Sequence, residues 1–396
     1  MKNILFLFTQ FNVLMLFSQD PLLSSWLINT DNTTGYNNIP SNVLSVQYNN
    51  QYVYVSANSI PSYEIGPWTS NPNTPAAQDF VFRITRNPAP AGVPVATGLG
   101  HIGIWKNGVS IFNAKDAFSY NNQGVWNQNA IVVEGISFDD CLGHPAPNGE
   151  YHTHLNPACL YDFTNTSVHA PILGYAFDGY PVYGAYAYAN TDGTGVVTLM
   201  RSSYQLREMT TRTTLADGTM LAANQYGPAV SVQYPLGYYL EDYEYVPGSG
   251  DLDQFNGRFC ITPEYPEGIY CYFATLNEEF EAAYPYVLGP SYYGNVTPGN
   301  TGPQGGNNVI PGDAVVYTPT VIDENEKRKT IGIITSDMNW VFSDFESHSY
   351  QIYNSSGQRL LSGKSGEIPC SNLANGIYFI SIQDAQGELQ TIKVRR

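Results

Sequence analysis

The sequence predicts a mainly β protein with minor α content, built as a large domain followed by a small C-terminal β-sandwich. Three observations carry that expectation. The 396 residues include 36 Gly, 26 Pro and 31 Tyr; Gly and Pro punctuate turns, and aromatic residues favour half-buried pleated surfaces. Short apolar runs separated by turn residues recur along the chain, and little of it has a 3.6-residue period. The charge is also uneven: residues 1–320 hold 9 Lys and Arg against 25 Asp and Glu, whereas residues 321–396 hold 8 against 9. That shift marks a domain boundary.

The chain opens Met1-Lys2-Asn3, runs apolar from Ile4 to Phe17, then turns polar at Ser18-Gln19-Asp20. One early cation, a short apolar stretch and a small residue before a polar one describe a secretory signal over 1–18. The run is too short to span a bilayer comfortably, and no later stretch is apolar enough to do so, so no transmembrane segment is expected in the mature chain. The formal net charge of −17 repels a phosphate backbone and argues against a nucleic-acid partner.

Residues 19–296 read as one large domain. Expected strands are 52–57, 79–85, 131–138, 172–177, 238–245 and 269–275, with a short helix over 203–209. Asn107-Gly108 between apolar flanks signals a hairpin with two positive-φ positions. Spacing suggests the disulfides Cys141–Cys159 and Cys260–Cys271 and leaves Cys370 alone, although sequence does not fix the connectivity.

Residues 297–329 read as a linker. Pro, Gly and Asn dominate 297–312, and Lys327-Arg328-Lys329 follows at the entrance to the last domain. From 330 to 396, short alternating runs such as Tyr350-Gln-Ile-Tyr and Gly376-Ile-Tyr-Phe-Ile-Ser-Ile give the β-sandwich. The residues Tyr353-Asn-Ser-Ser-Gly357-Gln358, Leu373-Ala-Asn-Gly376-Ile-Tyr-Phe379 and Lys393-Val-Arg-Arg396 resemble the type A C-terminal sorting domain of the type IX secretion system. The resemblance implies a Gram-negative source, handling by that secretion machinery, and a secreted or cell-surface destination. It departs at the entry, where Ile331-Gly-Ile-Ile-Thr-Ser replaces a Tyr-Pro-Asn-Pro-like start.

Chemistry concentrates in the histidines. Of 6 His, four fall at His144, His152, His154 and His169. His152 and His154 are two apart, so on a strand they share a face about 7 Å apart and can lean onto one ion at about 2.1 Å from each nitrogen. A turn over 145–149 lets His144 fold back toward them. A Cys141–Cys159 bridge closes a loop around all three, worth about 3 kcal/mol in the chain-entropy model. Imidazole donors suit a transition metal, with Zn or Cu foremost. Asp139, Asp140 and Tyr151 flank the cluster, and either Asp could orient an imidazole N–H or serve as a base; Asp178 is a ligand, an orienting acceptor or simply a turn residue. His101 reads as structural, and His348 as a surface residue of the last domain.

The segment Tyr151-His152-Thr153-His154 resembles the signature of the YHYH-domain family. Cys141-x-Gly143-His144-Pro145, the run His169 to Gly184, Leu252-Asp253-x-x-Asn256-Gly257-Arg258 and Thr262-Pro-Glu-Tyr-Pro266 also match, over a motif core of about 100–295. Thr153 stands where the family name expects Tyr. The resemblance implies a secreted or envelope-facing domain and no established reaction. No catalytic residue is named: there is no Gly-x-Ser-x-Gly elbow, phosphate loop, dinucleotide fingerprint or His-Glu-x-x-His helix. Beside metal binding, the many tyrosines leave open a surface module that binds glycans or peptides without metal.

Overall fold

The computed structural model describes residues 20–319 and, beyond them, the strands of the C-terminal unit together with Leu373. The expected signal segment 1–18, the Lys327–Lys329 cluster, His348 and Cys370 lie outside those residues. The chain divides into two compact units, 1–318 and 319–396.

The large unit holds two principal sheets. The first has four antiparallel strands in the order Val315–Val316, Val43–Tyr48, Tyr52–Ala57 and Phe80–Thr85. Its last strand alternates strictly, with Phe80, Phe82 and Ile84 buried between partly exposed residues, as a sheet with one covered face requires. The second sheet is eight-stranded and mixed. Its order is Gly257–Cys260, Ile269–Phe273, Pro181–Tyr183, Ile172–Ala176, His101–Trp105, Ser110–Phe112, Tyr151–Thr153 and Gly143–Pro145. The central strands His101–Trp105 and Ile172–Ala176 are buried at every position, so they read as continuous apolar runs. Gly174 permits that pairing, since a Cβ there would meet the Ile104 carbonyl oxygen at 2.3 Å. One apolar cluster joins the sheets, with Phe82 stacked on Phe177 at 5.3 Å. Each fully buried side chain of this size contributes about 1.5–3 kcal/mol.

Several local expectations need correction. The 131–138 stretch is no strand: Asn129 caps a short helix, Ala130–Glu134, by accepting from Ile131 N, and a 3-10 turn over Gly135–Ser137 follows. Capping outweighs the β-branched run Ile131-Val-Val. The expected helix at 203–209 is instead a strand, Tyr204–Leu206, paired with Tyr243–Tyr245, because cross-strand tyrosine packing beats a weak helical period. The hairpin at Asn107-Gly108 forms with one positive-φ residue, Gly108 at φ 82°. Gly108 N donates to Trp105 O and Trp105 N to Val109 O, which is a three-residue turn.

The stretch 297–318 is packed against the large unit. Asn300 is fully buried, its Oδ1 accepting from Arg83 N at 2.9 Å and its Nδ2 donating to Arg83 O at 2.6 Å. Asn308 Nδ2 donates to Val81 O at 2.9 Å, and Val315–Val316 then adds an edge strand. Asparagine amides here imitate a strand's backbone, which composition alone reads as a linker.

Among the described residues, the C-terminal unit carries two antiparallel sheets. Four strands run in the order Arg359–Lys364, Ser349–Asn354, Ile377–Gln383 and Leu389–Arg395, and three in the order Ile333–Thr335, Asn339–Phe342 and Glu367–Pro369. Tyr350, Ile352, Tyr378 and Ile380 are buried.

Candidate metal centre

The edge hairpin of the eight-stranded sheet builds the site. Gly143–Pro145 pairs antiparallel with Tyr151–Thr153, placing His144 directly opposite His152. The loop between them closes through Gly149 N to Ala146 O and Ala146 N to Glu150 O, both 2.8 Å. Gly149 takes φ 82°, and a Cβ there would press on Ala76 at 2.8 Å. His154 lies two residues past His152, on the same face. All three side chains are buried, and one nitrogen from each converges within 4.8 Å of the others. His144 Nε2 to His152 Nε2 is 3.1 Å, and His152 Nε2 to His154 Nε2 is 3.2 Å.

The opposite ring nitrogens fix the tautomers. His152 Nδ1 lies 3.1 Å from Glu150 O, and His154 Nδ1 lies 2.7 Å from Asn113 O. A carbonyl only accepts, so both Nδ1 atoms donate. His144 Nδ1 meets Ser137 Oγ at 2.7 Å, and that hydroxyl already donates to Glu134 O at 2.7 Å; the third Nδ1 therefore donates as well. Neutral imidazoles held this way present three bare Nε2 lone pairs to one point, the arrangement of metal-ligating histidines.

Glu134 completes a ring of donors. Its Oε2 lies 3.2 Å from His144 Nε2 and 3.3 Å from His154 Nε2. At about 2.05 Å from an ion, neighbouring donors stand about 3.3 Å apart in a tetrahedron and about 2.9 Å apart in a square. The four edges of 3.1–3.3 Å lie between the two values and link the four donors in a closed ring. Burial pulls the His144 imidazole below its usual range, and it pulls His152 well below, helped by the neighbouring histidines. Burial pushes Glu134 up, but hydrogen bonding and charge from His144 and His154 in their protonated forms outweigh it and hold the carboxyl well below the usual carboxylate range. Asp116, facing Glu134, is pushed up to about 6 by burial first and then by Glu134 itself. A cavity of about 550 Å³ opens over the cluster, walled partly by Lys115, Asp116 and Glu150.

Two family models match the chain. One, described as YHYH protein, covers residues 81–285; the other, described as a secretion system C-terminal sorting domain, covers residues 330–394. The first spans more than half of the sequence and contains the whole donor ring. The chain belongs to the YHYH family. No curated protein and no solved structure matches it.

Residues beside the donor ring support it from outside. Asp139 touches none of the three rings; its carboxylate accepts from Gly66 N, Cys141 N, Gly143 N and Tyr151 OH at 2.8–3.1 Å. It thereby fixes the loop that carries His144, and Tyr151 anchors its own strand through it. Thr153, in the Tyr position of the family name, faces away from the histidines and accepts from Trp105 Nε1 at 2.7 Å. A disulfide joins Cys141 to Cys159 around the three histidines.

Other expected site residues stand elsewhere. His169 is not in the cluster: its ring packs on Tyr183 and Tyr188, and its Nδ1 is 2.7 Å from Ala170 O. Asp178 is fully buried at a turn, accepting from Tyr272 OH, Gly294 N and Tyr180 N, and burial pushes it up to about 6. Those partners hold the 291–294 loop against the sheet. Asp140 is exposed. Cys260 and Cys271 are free, buried thiols with sulfurs 4.0 Å apart. The register explains it: Cys260 faces Ile269 and Cys271 faces Arg258, a diagonal rather than an opposed pair.

Sequence reading missed Glu134. It is the only carboxylate between Asp116 and Asp139, and it ends a run that starts with a capping Asn129 and is followed by Gly135. That signature of a one-turn helix was the available signal.

Proposed function

We propose that this protein binds a transition-metal ion through the Nε2 atoms of His144, His152 and His154 and the carboxylate of Glu134. The observation that carries the reading is the fixed direction of all three Nδ1–H groups, each committed to a protein acceptor. Without an ion, three converging lone pairs and a carboxylate repel one another in a buried site; an ion turns that repulsion into attraction. The nitrogen-rich donor set suits Zn, and Cu next. The sorting domain supports export by the type IX machinery of a Gram-negative bacterium, with 1–18 as the signal segment and the cell surface or medium as destination. There the Cys141–Cys159 bridge persists.

Four protein donors can fill a four-coordinate shell, so the reading is metal holding rather than a named reaction. The test is thermal unfolding of the full mature chain with and without a strong chelator. Metal binding predicts a lower transition in chelator, restored by added Zn and absent in His152→Ala. An identical transition in both conditions, unmoved by added Zn or Cu, overturns it.

A second reading rests on a separate cavity of about 480 Å³ walled by Tyr204, Tyr243, Tyr245 and Tyr284, in which Tyr243 and Tyr284 stack at 4.0 Å. Such a surface suits a glycan or peptide. Glycan binding that survives chelation and is lost in Tyr245→Ala would favour it.

A further inference from the structure

His101 is fully buried among rings. Its imidazole meets Phe80, Phe82 and Phe112 edge-on at centroid distances of 5.2, 5.4 and 5.0 Å. Its Nε2 lies 2.6 Å from Glu150 Oε1, with the two side chains 0% and 2% exposed. A carboxylate only accepts, so Nε2 donates, and Nδ1 is the ring's other polar atom. That Nδ1 is buried without a hydrogen-bond partner.

This is an expensive way to fill a phenylalanine cage. An unsatisfied buried polar atom costs about 1–3 kcal/mol, and apolar side chains of similar volume often replace a buried polar pair without loss. Stability therefore does not explain the pair. Its surroundings do, because two routes lead from His101 to one metal ligand. Through Glu150, the pair fixes the residue whose main-chain oxygen accepts from His152 Nδ1 at 3.1 Å. Through Phe112, which lies opposite His101 in the sheet, it backs a ring stacked on His152 at 3.9 Å and 23°. His152 is the middle ligand, within 3.2 Å of both other histidine nitrogens.

We propose that His101 is a positioning residue of the metal centre, holding His152 in its ligating orientation through Glu150 and Phe112. The inference rests on the metal-binding reading above. It assigns the cost of the buried imidazole to ligand geometry, much as outer partners of metal-bound histidines set affinity in general.

The test compares His101→Phe and His101→Met, which lack the donor, with His101→Gln, which keeps an N–H for Glu150. Zn affinity is measured by competition with a chromogenic chelator, and the Co(II) absorption spectrum reports ligand geometry, which a merely structural role leaves unmoved. The expected result is a loss of Zn affinity of about 10- to 100-fold in the Phe and Met variants, with an altered Co(II) spectrum and substantial recovery in the Gln variant. Should the Phe variant fail to fold, the Met and Gln variants make the same comparison. Unchanged affinity and spectrum in either donor-less variant, with wild type binding Zn, overturns the positioning role alone. Wild type that binds neither ion overturns the metal reading and this inference together.

Discussion

Removing the Cys141–Cys159 bridge separates two ways in which it could act. The bridge closes a loop of sequence separation 18. In the chain-entropy model a loop of that length restricts the unfolded ensemble by about 3 kcal/mol at 25 °C. A unit of roughly 300 residues unfolds with about 0.6 kcal/mol per kelvin of entropy, so the transition should fall by about 5 °C. The folded loop has other supports, namely the Asp139 carboxylate and the bond from Trp68 Nε1 to Gly143 O at 3.1 Å. Native geometry should therefore survive in a Cys141→Ala/Cys159→Ala variant. Its Zn affinity, measured on folded protein, should fall by less than about tenfold, the equivalent of 1.4 kcal/mol. The assay is thermal unfolding in chelator, followed by Zn competition. A variant of unchanged stability with a much larger affinity loss would refute this reasoning, because the bridge would then be shaping the native site rather than limiting the unfolded chain.

Glu134→Ala should weaken Zn binding by at least the 10–100-fold that loss of an outer partner causes, as measured by the same competition. Acid should destabilise the metal-free protein below about pH 6.5, where unfolded histidines protonate while His144 and His152, held down by burial, stay neutral. The unfolded state then binds more protons, so stability falls with pH by at most about 1.4 kcal/mol per unit for each histidine. Asp116 and Asp178, both raised to about 6, act in the opposite sense by taking up protons in the folded state, which offsets part of the loss. Denaturant melts from pH 7.5 to 5 in chelator check the sign, and a flat profile contradicts it.

Much of the fold was legible because its central strands announce themselves. Ile172–Ala176 and Ile269–Phe273 are apolar runs bounded by turns, and burial explains them. The histidine hairpin was legible from its two-residue spacing and the turn before it, since register across a short hairpin follows from loop length. What was not legible depended on partners distant in sequence. Ile131-Val-Val has strand propensity, yet Asn129 caps it as a helix, and only that helix brings Glu134 to His144 and His154. His169 shares its family block with the site, but its strand neighbours place it on Tyr183 and Tyr188. The role of Asp139 could not be assigned from its position beside the cluster, because its four partners include Gly66 and Tyr151.

Metal binding by the ring of His144, His152, His154 and Glu134 is tested most directly by elemental analysis of the full mature chain. Protein stripped with chelator, reloaded with excess Zn and freed of unbound ion should carry one Zn per chain. The His152→Ala/His154→Ala variant, shown to be folded, should carry none. Zn-free wild-type protein after reloading, repeated with Cu to the same end, would contradict metal binding at this site.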